Sequence, residues 1–516
     1  MLIRKTIPVS FLILAAIVFA IYFRTLSFPF LEFDDDRFVF LNPWVREGLT
    51  WSSIVWAFQA GLTSVTFYTD YWQPVTVLSR LMDVELFGLA PWGHHLTNVV
   101  WHAVNACLVM VFFGRQLGVA FRGRTPKAGY VPVALLGAAL WASHPAHAEA
   151  VSWITARKDL LSAFFSWCFL LSYRKGWAGS LFLLLALLSK PSGLVVVPIV
   201  WCLEISRTNF KVTLQKYGFY GAIAAVFVGV YWFSQSAGSF RHATAFHHVW
   251  QSLTHYGFYF FKANLPIQLG IYAPLSKIWG WAAGLVVLHV IGIFLLHRKH
   301  GVSIVGTLWF LIALAPVVGF GYPADRFLYF AIPGLLLQTL HILQFMTTEH
   351  FVLSRLGYCF LSFIVIVQAV FAFNQTATWA STEAVFKNAL KIDEKNYTAL
   401  NGLGGIYFRQ EKYDQAIPYL LKAYEIRPDF RQARLNIGAA YFALGQVDKA
   451  QSMYESMLQD FPNNPIIYNN LAVIHIQKGN YSQAEKLYLK SLELRPNHAP
   501  TLANLRELQQ YLDKRA

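Results

Sequence analysis

SFLILAAIVFAIYFRTLSFPFLEFDDDR, residues 10–37, passes from an apolar segment of membrane-crossing length directly into Asp34, Asp35 and Asp36. Carboxylates at the mouth of a membrane span are costly to place, so this junction marks a position where chemistry is done. The rest of the chain fits the same frame. With 56% hydrophobic, 16% aromatic and only 13% charged residues, the 516-residue chain carries about half the charge usual for a soluble protein. It reads as a polytopic membrane protein over most of its length.

Apolar runs able to cross a core of roughly 30 Å lie near 7–26, 96–114, 130–143, 159–173, 177–189, 193–206, 217–233, 279–296, 303–320, 327–346 and 354–373, which predicts about eleven spans. A further run, 249–263, contains Gln251, His255 and Lys262 and is expected to lie on, or dip into, the membrane surface as an amphipathic helix. Arg4 and Lys5 before the first span, and Arg115, Arg122, Arg124 and Lys127 after the second, place those connections in the cytoplasm. Of the 13 Asp and Glu in residues 1–378, only Glu204 and Glu349 then fall inside. The other eleven, Glu32, Asp34, Asp35, Asp36, Glu47, Asp70, Asp83, Glu85, Glu149, Asp159 and Asp325, gather on the outer face, where binding or catalysis is expected. No Ala-x-Ala-like site follows the first span, so it is expected to be an uncleaved anchor. Cys107, Cys168, Cys202 and Cys359 lie in or beside apolar runs without CxxC spacing, and imply neither a disulfide framework nor a cysteine metal site. The net charge of +15 follows from topology and gives no argument for nucleic acid.

From about residue 380 the chain turns polar, and Pro428, Pro462 and Pro496 recur at the 34-residue period of tetratricopeptide repeats. Leu403-Gly404, Ile437-Gly438 and Leu471-Ala472 occupy the small-residue contact in phase, as do Ala416, Ala450 and Ala484. The expected division is a membrane domain over 1–378, with a first outer loop at 27–94, and a repeat domain over 379–516. Repeats fall at 397–430, 431–464 and 465–498, with a capping helix at 501–514. Such stacks hold an extended peptide in a concave groove, and Asn401, Asn436, Asn469 and Asn470 are candidate clamps for an acceptor backbone; the competing reading is that they are merely solvated.

In the membrane domain, His95, Asn98, His102 and Asn105 recur at steps of three or four and share one helix face, which must point to protein or water. His144, His147 and Glu149 have ligand-type side chains, but Pro145 follows the first and no HExxH spacing exists, so metal ligation is the weaker reading. Lys190 and Arg326 sit at span boundaries, where single cations commonly snorkel; Arg326 beside Asp325 could instead grip a phosphate.

The ordered set FDDDR…NP, YWQP, GHHLTN…H, HPAHAEAVSWITARKD, SKPS and ADRFLY, followed by tetratricopeptide repeats, resembles the transmembrane and tetratricopeptide repeat-containing protein O-mannosyltransferases over essentially the whole chain. That resemblance implies an all-α fold, with a type C glycosyltransferase-like membrane domain ahead of an α-solenoid. It implies a polyprenyl- or dolichyl-phosphate hexose donor, a Ser or Thr acceptor on the outer side, and a catalytic carboxylate at Asp34 or Asp35. The residues fit this chemistry: transfer to a hydroxyl needs a base, the departing phosphate needs cations, and clustered carboxylates raise one another's pKa. Asp34 is the expected base, with Asp35 its partner or acceptor positioner; Arg157, Lys158, Lys190 and Arg326 form the phosphate-contacting pool. Asp36, His95, Asn98, His102, His144, Glu149 and Tyr329 would order the pocket. Gln73 departs from the family, in which an Arg commonly precedes this Pro, and removes one cation. No metal ligand set and no cofactor is required, although a divalent cation remains open. A bacterial inner membrane with a periplasmic active face is the expected location. The alternative is a non-enzymatic anchor displaying a repeat scaffold for envelope assembly; a transporter is disfavoured because no paired inverted halves are seen.

Overall fold

A computed structural model describes residues 2–62, 71–120, 130–235, 245–271, 279–300, 303–318, 323–349 and 351–514. Asp70, counted above among the outer-face acids, lies outside the described residues. The described chain is helical and contains no strand, and it separates into two compact units, Met1–Val385 and Phe386–Ala516.

In the first unit each predicted apolar run falls on a helix. Five helices among the described residues are long and apolar enough to cross a membrane: Ile7–Ser27, Pro91–Gly118, Trp281–Lys299, Asp325–Leu343 and Leu356–Trp379. Val131–Ala142, Trp177–Ser189, Pro191–Ile205 and Val305–Leu314 are shorter apolar helices. The Pro91–Ala120 helix packs against Leu2–Tyr22, Val131–Ala142 and Arg157–Ser172, around a core containing Phe112, Trp141, Trp167 and Trp309. Apolar side chains that remain exposed, such as Leu288, Leu295, Phe360, Phe363 and Ile366, lie on outward helix faces, where a water-soluble protein would not leave them.

The helix over 249–263 departs from expectation. It forms part of Ala245–Asn264, packs against Trp279–His300, and buries Phe258, Tyr259 and Lys262 instead of lying on a surface. The cause is an ion pair: the Lys262 ammonium meets Asp325 at 2.9 Å, and the same carboxylate accepts from the Gly270 amide at 2.7 Å. What looked like the polar face of an amphipathic helix is an internal contact.

The loop over 27–94 builds its own small core from Phe38, Val39, Val45, Ala57, Val77, Leu81 and Val84, joined by Ile154 from a third segment, residues 144–156. Asn42-Pro43 starts a short helix, with the Asn42 side chain accepting from the Trp44 and Val45 amides and Pro43 in the first turn. That third segment breaks into short turns, Pro145–His147, Ala148–Ser152 and Ile154–Ala156, before the Arg157–Ser172 helix. Broken backbone at buried positions leaves carbonyls that need donors. The polar stripe supplies them.

The second unit is a stack of helix pairs, Tyr397–Arg409 with Tyr413–Ile426, Arg431–Ala443 with Val447–Asp460 and Pro465–Gln477 with Tyr481–Leu494, followed by Ala499–Asp513. Gly404 and Gly438 sit where these helices approach closely. A Cβ on Gly438 would fall 2.5 Å from the Tyr454 ring, and one on Gly404 2.5 Å from Leu420.

Candidate active site

Asn98 Nδ2 donates to the Val151 and Trp153 carbonyls at 3.2 and 3.1 Å, and Asn105 Nδ2 donates to Leu160 O at 3.0 Å. His102 Nε2 donates to Ala142 O at 3.1 Å, so its Nδ1 accepts from the Tyr329 hydroxyl at 2.8 Å, and Asn105 donates to that same hydroxyl at 3.2 Å. His95 is fully buried, its ring edge-on to Phe28 with centroids 6.2 Å apart. His144 spends Nδ1 on the Ala146 amide and Nε2 on Ala263 O. Asn98, His102, Asn105 and His144 therefore act on backbone, and Asn98 and His144 hold the broken third segment itself. Among the described residues no three His, Cys, Asp or Glu side chains converge on a common metal position.

The three aspartates have different surroundings. Asp35 is wholly buried and its carboxylate accepts from the Leu31 amide at 3.0 Å, the Thr155 amide at 2.9 Å and the Thr155 hydroxyl at 2.6 Å. Burial pushes its pKa up to about 7, opposed by those hydrogen bonds and by the Arg80 charge. Asp34 adopts φ 73°, a left-handed conformation uncommon outside glycine, and its side chain stays 35% exposed, 3.8 Å from Arg37. Asp36 is half-buried and opens the single wide turn Asp36–Phe40.

The cations differ as much. Arg157 is almost fully buried, and Nε and both terminal nitrogens are committed: to Asn98, to Ser79 at 2.9 Å, and to Asp83 and the His94 carbonyl at 2.7 and 2.8 Å. Lys190 pairs with Asp159, and Arg326 with Glu149, whose other oxygen accepts from the Arg326 amide at 3.0 Å. The Lys158 ammonium has no described carboxylate partner; it sits 5.7 and 5.4 Å from the centres of the Phe38 and Tyr71 rings.

Two aromatic residues join the acids to the cations. Trp153 donates its indole N–H to the Phe33 carbonyl at 2.9 Å, next to Asp34, while the Arg326 guanidinium lies 5.3 Å over its ring. Phe38, two residues after Asp36, carries Lys158 on one side and Arg80, at 5.2 Å, on another. Beside the cluster lies a cavity lined by Asp159, Lys190, Arg326 and Tyr329, by Ser162, Ser166 and Gly193, and by Ala313, Val317, Phe327 and Phe330.

Arg80, Asp83, Thr155 and Asp159 belong to this assembly and were missed as site residues. Arg80 and Asp83 share the Pro74–Phe87 helix, where charges one turn apart read as a solvated face, yet both are buried. Thr155 has no charge to draw notice. In the second unit, Asn401 accepts from Asn436 at 2.9 Å; Asn469 bonds Asn470 at 3.1 Å and also receives Thr501 and Asn504. These four amides bond within the stack, and Asn469 is buried there.

Tetratricopeptide repeat families match residues 395–462 and 441–508. Human protein O-mannosyl-transferase TMTC3 is 23% identical over 87% of this chain and 58% of its own length. Over most of its length the chain is thus similar to protein O-mannosyl-transferases that carry the TMTC name. Shorter matches include Tmtc2 of Drosophila melanogaster, 33% identical over 33% of this chain and 17% of that protein, and F38B6.6 of Caenorhabditis elegans, 30% identical over 39% and 29%. The chain thus spans little more than half the length of its full-span relatives. Among solved structures, the first tetratricopeptide domain of human RPAP3 is 27% identical over 23% of this chain and 93% of that domain, with a TM-score of 0.22.

Proposed function

We propose that this chain is an integral membrane glycosyltransferase that moves a hexose from a polyprenyl-phosphate sugar to a hydroxyl, that of a protein Ser or Thr, on the outer face of the membrane. The observation that carries this reading is the meeting of a half-exposed carboxylate with a cation cluster through Trp153 and Phe38. An acceptor hydroxyl and a lipid phosphate need those two groups side by side.

Asp34 takes the proton from the acceptor oxygen as that oxygen bonds to the sugar's C1, and the C1–O bond to phosphate breaks with its electron pair leaving on the phosphate. A single in-line displacement of this kind inverts C1. Lys158, unpaired among the described carboxylates, is the principal cation for the leaving phosphate; Lys190 and Arg326 add field while tethered to their acids. Arg157, with its nitrogens committed, serves the scaffold. Asp35 positions the loop, and the cavity lining brings charged side chains suited to a phosphate together with apolar ones suited to an isoprenoid. The repeats recruit the protein acceptor, and the outward acids fit a bacterial inner membrane with active face and repeats periplasmic. No step requires a metal, and a divalent cation at the carboxylates remains a separate option.

The test is incubation of the purified full chain with radiolabelled polyprenyl-phosphate hexoses and Ser/Thr peptides. Label should appear in peptide with at least one hexose; absence of transfer for every hexose would contradict the reading and leave a membrane-anchored repeat scaffold.

A further inference from the structure

Asp159 lines the cavity beside Lys190 and Arg326, and its carboxylate is only half used. One oxygen pairs with Lys190; the other is buried and has no hydrogen-bond partner. The Arg326 Nε–H, on the same lining, is likewise buried without an acceptor. A buried carboxylate oxygen without a donor is a standing cost, and it indicates a ligand that supplies one.

The donor's three parts differ in what they can supply. An isoprenoid has no polar hydrogen, and an ionised phosphate only accepts hydrogen bonds, which suits Lys158, Lys190 and the Arg326 Nε–H. Only the sugar carries O–H donors. The hydroxyl nearest the phosphate is the one on C2, since C1 bears the phosphate. The geometry points to Asp159 as a specificity-determining residue: its free oxygen accepts a hydrogen bond from the C2 hydroxyl of the donor sugar while the neighbouring cations hold the phosphate. Mannose and glucose differ at C2 alone, so this contact reads the configuration that separates them. It also repels an anion presented the wrong way round, because a second carboxylate or phosphate at that spot would meet a buried negative charge. The inference rests on the polyprenyl-phosphate donor proposed above.

Removing the C2 hydroxyl from either epimer gives the same 2-deoxy sugar, so one analogue serves both. Binding of short-chain polyprenyl-phosphate mannose, the glucose epimer, the 2-deoxy analogue and polyprenyl phosphate alone should be measured by titration calorimetry on the detergent-solubilised full chain. The wild type should bind one epimer about 10- to 100-fold more tightly than the 2-deoxy analogue, the range for a lost hydrogen bond to a charged group. Asp159→Ala, which removes the acceptor altogether, should bind all three sugars alike. Equal affinity of the wild type for both epimers and the analogue overturns the inference, and this arm needs no variant to fold. An Asp159→Ala protein that keeps the wild-type preference also overturns it. Failure of polyprenyl phosphate alone to bind would instead remove the donor reading beneath it.

Discussion

Asp34 and Asp35 are adjacent in sequence and opposite in circumstance. The left-handed backbone at Asp34 turns two neighbouring side chains into different environments, one half in solvent and one enclosed by Leu31 and Thr155. Asp35 has a clear pH signature. Its folded pKa, about 7, lies above the ordinary 3.8, so the stability it contributes is fully present below about pH 4 and is lost as pH rises through about 7. The thermal midpoint of the wild type should therefore fall across that interval, and Asp35→Asn should flatten the slope. A wild-type midpoint that rises steadily from pH 4 to pH 7, unchanged by Asp35→Asn, would refute this. Neighbouring cations separate in the same way. Arg157→Met strips a buried carboxylate, Asp83, of its partner and should cost about 3–5 kcal/mol of stability. Lys158→Met leaves no described carboxylate unpaired and should spare the melt while weakening binding of polyprenyl phosphate. Melting curves and a binding titration on both variants decide between these assignments.

At the scale of elements, the polar stripe of the Pro91–Ala120 helix answers a third segment, 144–156, that is not a regular helix. Asn98 and His102 satisfy carbonyls that the breaks at Ala142, Val151 and Trp153 would otherwise leave bare, and Asn105 reaches the Leu160 carbonyl in the helix that follows. The periodicity of this stripe was legible in sequence, because spacing of three and four survives any tertiary context. Its purpose was not, because backbone acceptors leave no trace in residue identity. Lys262 and Asp325 illustrate the same gap: 63 positions apart, one read as part of an amphipathic helix and the other as an edge charge, and only the fold makes them a pair. In the repeats, packing was legible down to single glycines. Gly438→Ala should destabilise the stack by about 1–3 kcal/mol, since the new methyl would overlap Tyr454. Gly405→Ala, in the Tyr397–Arg409 helix and with its nearest neighbour at 3.5 Å, should be neutral or stabilising. Equal losses in thermal unfolding of the full chain would show that close approach is not the cause.

For the whole molecule, the motif order carried the likeness to the O-mannosyl-transferases and the helical class, because both rest on local pattern: apolar length, the 34-residue period, and short charged signatures. Which charges work together was far less legible. Arg157, Lys158, Lys190 and Arg326 formed one pool in sequence, and burial divides them into a fully committed strut, two tethered cations and one without a described carboxylate partner. The proposed transfer then depends on the meeting of two loops, with Trp153 fastened to the acid loop and overlain by Arg326. The most direct measurement is hexose transfer from polyprenyl-phosphate sugar to a Ser/Thr peptide by purified wild type and Asp34→Asn, alongside donor affinity of each. Loss of the base should lower the transfer rate by about 10²–10⁴-fold with donor affinity unchanged. Transfer by Asp34→Asn at the wild-type rate would contradict the account.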